Sequence, residues 1–97
     1  MAAYAVFDVD IRDMEQYQKY MQLVKPVIEA AGGRYLVRGG AFKVHEGDWL
    51  PRRLVLLEFP SMEAMETFYH SPVYQSLKTL REACSSARSV SVEGLAC

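Results

Sequence analysis

The chain of 97 residues lacks several things at once, and each lack removes a class of function. Charge of one sign is missing: 11 Lys and Arg stand against 12 Asp and Glu, and no run of basic residues forms a local exception. Positive excess is what draws proteins to phosphate backbones and anionic membranes, so neither nucleic acid nor a membrane surface is expected as a partner. No segment approaches the ~20 apolar residues that a membrane span needs. The apolar start from Met1 to Phe7 has no basic lead and meets Asp8 and Asp10 before a signal core could form, so a cytoplasmic location is expected.

Cysteine is scarce. Cys84 and Cys97 make no disulfide framework, and neither has a neighbouring histidine to activate it, so both are read as free, incidental thiols. The two histidines, His45 and His70, have no metal-ligand spacing, so no metal and no cofactor is expected. The pair Gly39-Gly40 lacks the strand-to-helix setting of a phosphate loop. Repeats and linkers are absent too, which leaves one domain over residues 1–97.

What is present is regular. With 51% hydrophobic and 24% charged residues the chain has an ordinary globular mixture, and a chain of this length buries about two-thirds of its unfolded surface. Phe7, Val9 and Ile11 alternate with Asp8 and Asp10, which predicts a strand over 3–11. Asp13 then stands as an N-cap with Gln16 in the capping-box position. Met14, Tyr17, Met21, Val24, Ile28 and Ala31 form one helical stripe, interrupted by Pro26, where a kink is expected, and ended by Gly32-Gly33. A second strand runs over 34–38. Gly39-Gly40 suggests a bulge or bend, with extended structure resuming over 42–45. A turn around Gly47 and Pro51 leads to a third strand over 52–59, so that the second and third strands form an antiparallel hairpin. Ser61 caps a helix carrying Met62, Met65, Phe68 and Tyr69, and Ser71-Pro72 starts another with Tyr74, Leu77, Leu80 and Cys84. A last strand is expected over 88–95.

The order β-α-β-β-α(α)-β, with right-handed crossovers, leads to an α+β ferredoxin-like sandwich, a four-stranded antiparallel sheet with its helices on one face. Period-two alternation assigns the faces. Ala5, Phe7, Val9, Tyr35, Val37, Val55, Leu57, Phe59, Val90 and Val92 are expected under the helices. Tyr4, Val6, Asp8, Leu36, Arg38, Leu54, Leu56, Glu58, Ser89, Ser91 and Glu93 fall on the other side, a set too apolar to be left in water. A second copy of the same sheet is the simplest cover, so a homodimer is expected, with Leu54, Leu56 and the turn residue Trp49 at its interface.

The chemistry worth following lies on that second face. Asp8, Arg38, Glu58 and Glu93 project among leucines, and a half-sequestered charge must be paired, hydrated or shifted in pKa. One reading is a cleft of a few hundred Å³ in which Arg38 anchors an anionic or carbonyl-bearing small organic molecule and Glu58 or Asp8 serves as base. The simpler reading is an ion pair that fixes dimer register. Tyr69 and Tyr74 flank Ser71-Pro72, and Arg81, seven residues beyond Tyr74, shares its helical face. These three are ligand-binding candidates against a simpler reading as packed residues with a hydrogen-bonded phenol. No residue is named as catalytic.

The runs Gly32-Gly33-Arg34-Tyr35-Leu36-Val37-Arg38-Gly39-Gly40, Glu46-Gly47-Asp48-Trp49 with Pro51-Arg52-Arg53, Glu58-Phe59-Pro60-Ser61, Phe68-Tyr69, Ser71-Pro72 with Tyr74-Gln75, Leu80-Arg81 and Val92-Glu93-Gly94 together resemble the domain-of-unknown-function family 1330. The resemblance implies a ferredoxin-like fold in the dimeric α+β barrel superfamily, whose distant members include cofactor-independent quinol monooxygenases, muconolactone isomerases and haem-degrading enzymes. It supplies no activity. Two functional expectations follow: a dimeric small-molecule-binding protein, its cleft between helix layer and sheet or at the dimer-facing side of the sheet, carrying out a cofactor-independent oxidation or isomerisation, or a non-catalytic dimerisation or protein-interaction module. Phe68 and His70 depart from the family pattern, where Trp and Asp or Asn are frequent.

Overall fold

In the computed structural model, which describes residues 1–95, the chain runs β1 (Ala3–Ile11), α1 (Met14–Ala30), β2 (Arg34–Arg38), β3 (Leu54–Phe59), α2 (Met62–Tyr69), α3 (Pro72–Cys84) and β4 (Ser85–Glu93). The strands form one antiparallel sheet in the order β2-β3-β1-β4. This is the ferredoxin-like α+β arrangement that the element order requires. Cys97 lies outside the described residues.

Each helix starts where a polar side chain can take an orphan N–H. The Asp13 carboxylate accepts from the Gln16 amide at 3.2 Å, the Ser61 hydroxyl from Ala64 at 3.0 Å, and the Ser71 hydroxyl from Tyr74 at 3.2 Å. Helix α1 continues through Pro26 and buries Tyr17, Tyr20, Val24 and Ile28. Tyr20 belongs to this stripe although the expected spacing passed over it, and Met14, which was expected in it, is exposed. Beneath the helices, Phe59, Phe68 and Tyr74 stack with ring centroids 5.1 and 4.6 Å apart, a tilted geometry that suits aromatic quadrupoles.

Three expectations about the strands are corrected. The link from β2 to β3 occupies residues 39–53 and is no tight hairpin turn, and no strand forms over 42–45. Strand β4 begins at Ser85, directly after α3, and its register places Val90 opposite Val6 and Val92 opposite Tyr4. Both valines therefore lie on the open face and not under the helices. In β2 the pairing slips between Tyr35 and Val37, so that Val37 faces Leu56 on the open side while Arg38 faces Val55 on the helix side. A one-residue slip exchanges faces because the strand period is two. The irregularity falls ahead of Gly39-Gly40, where it was expected.

The junction of α1 with β2 allows no side chain at Gly33. A Cβ there would sit 2.6 Å from the Phe59 ring and 2.9 Å from the Ile28 side chain. Gly33→Ala is expected to lower stability by about 1–3 kcal/mol through overpacking, read as a lower urea midpoint at unchanged slope.

Candidate functional site

The space between helix layer and sheet is not completely filled. A cavity of about 30 Å³ remains, floored by Phe7, Val55 and Leu57 of the sheet and roofed by Tyr17, Tyr20 and Tyr74 of α1 and α3. Tyr35, Arg38 and Arg81 complete its wall. The volume suits about one water molecule and is far below the few hundred Å³ expected of a ligand cleft.

Helix α3 carries the inner polar end. Tyr74 and Arg81 are two turns apart on one face, and Arg81 Nη1 donates to the Tyr74 hydroxyl at 2.9 Å. Arg81 is only 6% exposed, its guanidinium lies 5.5 Å from the Phe7 ring centroid, and its Nε has no hydrogen-bond partner among the described residues. No carboxylate lies within salt-bridge distance of it among the described residues. Arg38, at the exposed end, lies over the Tyr35 ring at 5.0 Å. A third arginine, Arg53, lies over Tyr17 at 5.7 Å, donates to the Met21 sulfur at 3.6 Å, and also has a buried Nε without a partner among the described residues. Gly39, at φ 75°, makes room for it, since a Cβ there would strike the Arg53 guanidinium.

Burial pushes the hydroxyls of Tyr17, Tyr20, Tyr35 and Tyr74 above the usual phenol range, and the nearby arginines oppose that shift without cancelling it. All four phenols are therefore neutral hydrogen-bond donors near pH 7. Among the described residues no Asp, Glu or His lines the cavity. The cavity offers cations and donors, and no group ready to act as a base.

The residues expected to share one cleft are split among three places. Arg38 lies on the helix side, because of the slip in β2. Glu58 stays on the open face, where Arg34 Nε donates to it at 2.6 Å and, chiefly through that hydrogen bond, holds its carboxyl below the usual range. Asp8 is buried against the loop: its Oδ2 accepts from the Trp49 indole at 2.9 Å and its Oδ1 from the Arg52 amide at 2.9 Å, with Arg88 at 3.4 Å. Asp8 thus anchors the 39–53 loop to the open face. Trp49 and Leu50 border a groove there of about 600 Å³ together with Val6 and Val90. Leu54 and Leu56 are half-buried on the same face. Tyr69 packs on Tyr74 at 5.3 Å and under Lys78 at 5.2 Å, outside the cavity wall. Tyr74 and Arg81 are brought together as their spacing indicated. Tyr20 and Arg53 went unremarked in the sequence; the Tyr17-Tyr20-Val24 spacing was the available sign for the first, and nothing local marks the second.

Burial raises the pKa of Asp8, but the Trp49, Arg52 and Arg53 hydrogen bonds and the Arg88 charge outweigh it and leave the carboxyl below its ordinary value. A folded-state pKa below the unfolded one stabilises the fold above the unfolded value, roughly pH 4, and that stability is lost as pH falls through the folded value. Asp8→Asn is expected to lower the urea midpoint at pH 7 and to flatten the fall in midpoint below about pH 4. An unchanged acid slope would contradict the anchoring role.

Among the described residues no group of three or more His, Cys, Asp or Glu could hold a metal ion, and no helix is long and apolar enough to cross a membrane. Among solved structures, a protein of unknown function from Rhodopseudomonas palustris matches 99% of this chain and 84% of its own length at 21% identity and TM-score 0.76. A dimeric ferredoxin-like protein of unknown function from Jannaschia sp. CCS1 matches 97% of this chain and 100% of its own at 14% identity and TM-score 0.71. A cofactor-independent oxygenase from Streptomyces nogalater matches 99% of this chain and 93% of its own at 10% identity and TM-score 0.58. At these identities the likeness is one of fold. No curated protein matches the sequence significantly. The profile of one family covers residues 2–95, and the chain belongs to that family, Domain of unknown function (DUF1330).

Proposed function

We propose that this chain binds a small organic molecule in the cavity between its helices and its sheet, and that two copies pair across the open sheet face. The observation that carries the first part is the wall itself: an apolar floor onto which four phenols and two guanidiniums converge. An apolar hollow with a few convergent polar groups is the ordinary form of a ligand site. Its present volume admits little, so a ligand larger than a few atoms enters as Arg38 and Tyr35 move aside at the exposed end of β2. The reaction we assign to such a site is a cofactor-independent oxidation or isomerisation, on the analogy of a fold shared with the Streptomyces nogalater oxygenase.

Pairing is supported by the open face. Val90 and Val92 are 63% and 53% exposed beside the half-buried Val6, Leu54 and Leu56. Burying an exposed valine fully is worth about 1.5–3 kcal/mol, so a face of this composition favours a cover. A non-catalytic pairing module is the second reading, and this same face favours it. A cytoplasmic setting goes with either.

Native mass spectrometry of freshly purified protein, followed by thermal-shift screening of quinones, lactones, haem and acyl carboxylates, tests the ligand. A retained or stabilising compound is expected, with the effect lost in Arg38→Ala and kept in His70→Ala. No retained mass and no stabilisation would leave the pairing module as the reading. Light scattering at micromolar concentration tests pairing: twice the chain mass is expected, falling to one chain mass in Val90→Glu, and a monomeric parent protein would overturn it.

A further inference from the structure

We infer that the molecule taken up by this cavity is a small organic acid bearing a planar oxyanion, a carboxylate or an enolate, held at the inner end by the Arg81 guanidinium. This deepens the small-molecule reading above and rests on it.

The argument begins with an uncompensated charge. A guanidinium cannot lose its proton in a protein, so Arg81 is a cation at 6% exposure whatever surrounds it. Buried cations are ordinarily paired with a carboxylate. Among the described residues Arg81 has instead one phenol oxygen, the face of Phe7 and an Nε with no partner. Its planar fork of donors is left mostly unused, beside a hollow that the same side chain lines. Arg38 adds a second cation at the exposed end, and Arg53 adds a third just behind Tyr17. Among the described residues no carboxylate in the wall answers any of them. A cationic ligand is therefore repelled, a neutral one supplies acceptors without a countercharge, and an anion supplies both.

The shape of the anion follows from its surroundings. One guanidinium fork presents two parallel N–H groups in a plane, which suits the two oxygens of a carboxylate or of a deprotonated β-dicarbonyl. The walls are aromatic and aliphatic side chains, and among the described residues no glycine lines the cavity as a phosphate cradle would require. The Tyr74 hydroxyl, which accepts from Arg81, also shares a hydrogen bond with the Tyr20 hydroxyl, so the inner end presents a linked set of donors. Because the cavity has no base, the ligand arrives already ionised, as a carboxylic acid or an acidic enol is at neutral pH.

The test uses matched acids and amides on the intact protein: benzoate against benzamide, and butyrate against butyramide, by calorimetry in low-chloride buffer. Benzoate or butyrate is expected to bind at least tenfold more tightly than its amide. The carboxylate is expected to shift the Arg81 Nε–H resonance in a 15N correlation spectrum, and the amide is not. Arg81→Met is expected to abolish the preference, Arg81→Lys to keep part of it, and Arg34→Met, on the open face, to leave it unchanged. Should Arg81→Met fail to fold, Tyr74→Phe, which keeps the ring, is expected to reduce carboxylate affinity severalfold, and the acid-to-amide ratio on the parent protein decides in any case. Equal binding of acid and amide overturns this inference while the small-molecule reading stands. Absence of binding by all four probes overturns it too, and if native mass spectrometry also finds nothing, the underlying reading falls with it.

Discussion

A four-stranded sheet covered by helices on one side only has two faces with different obligations, and most of what this chain does with its residues follows from that. The covered face must be filled. Val9, Val24, Phe59 and Tyr74 are almost wholly buried there, and the close approach at Gly33 shows how little slack α1 and β2 have. The open face carries apolar side chains without a cover from this chain's helices, and Val90 and Val92 stand out from it. Helix placement, the cavity and the exposed valines are all consequences of this asymmetry.

On the covered side the packing departs from an all-apolar core at one place. Tyr17, Tyr20, Tyr35 and Tyr74 bring hydroxyls inward, and Arg81 brings a charge. Left without a ligand, a cation of this kind costs stability, because desolvation of a guanidinium is only partly offset by a phenol oxygen and an aromatic face. Proteins commonly accept such a cost where a site needs it. The same residues that weaken the core as a core give the cavity its sign.

On the open side charge is handled differently. Asp8 is buried yet fully answered, by an indole N–H and a backbone amide from the loop that crosses its face. Glu58 is answered by Arg34. Neither carboxylate is short of partners, and the two sides of the sheet differ in this: satisfied carboxylates on the open face, an unsatisfied arginine beside the cavity on the covered one.

The element order, the three capped helix starts and the inner alternation of Ala5, Phe7 and Val9 were legible in the sequence, because local hydrogen bonding and the two backbone periods are written residue by residue. The Tyr74 and Arg81 pairing was legible for the same reason, since seven residues on a helix return to one face. Only the tertiary structure decided the sides of Arg38, Val37, Val90 and Val92. Strand parity depends on where a partner strand slips and on which residue opposes which, and neither the irregularity between Tyr35 and Val37 nor the register of β4 against β1 leaves a mark in local composition. That one slip moved Arg38 from a supposed cluster with Asp8 and Glu58 to the mouth of a cavity beneath the helices.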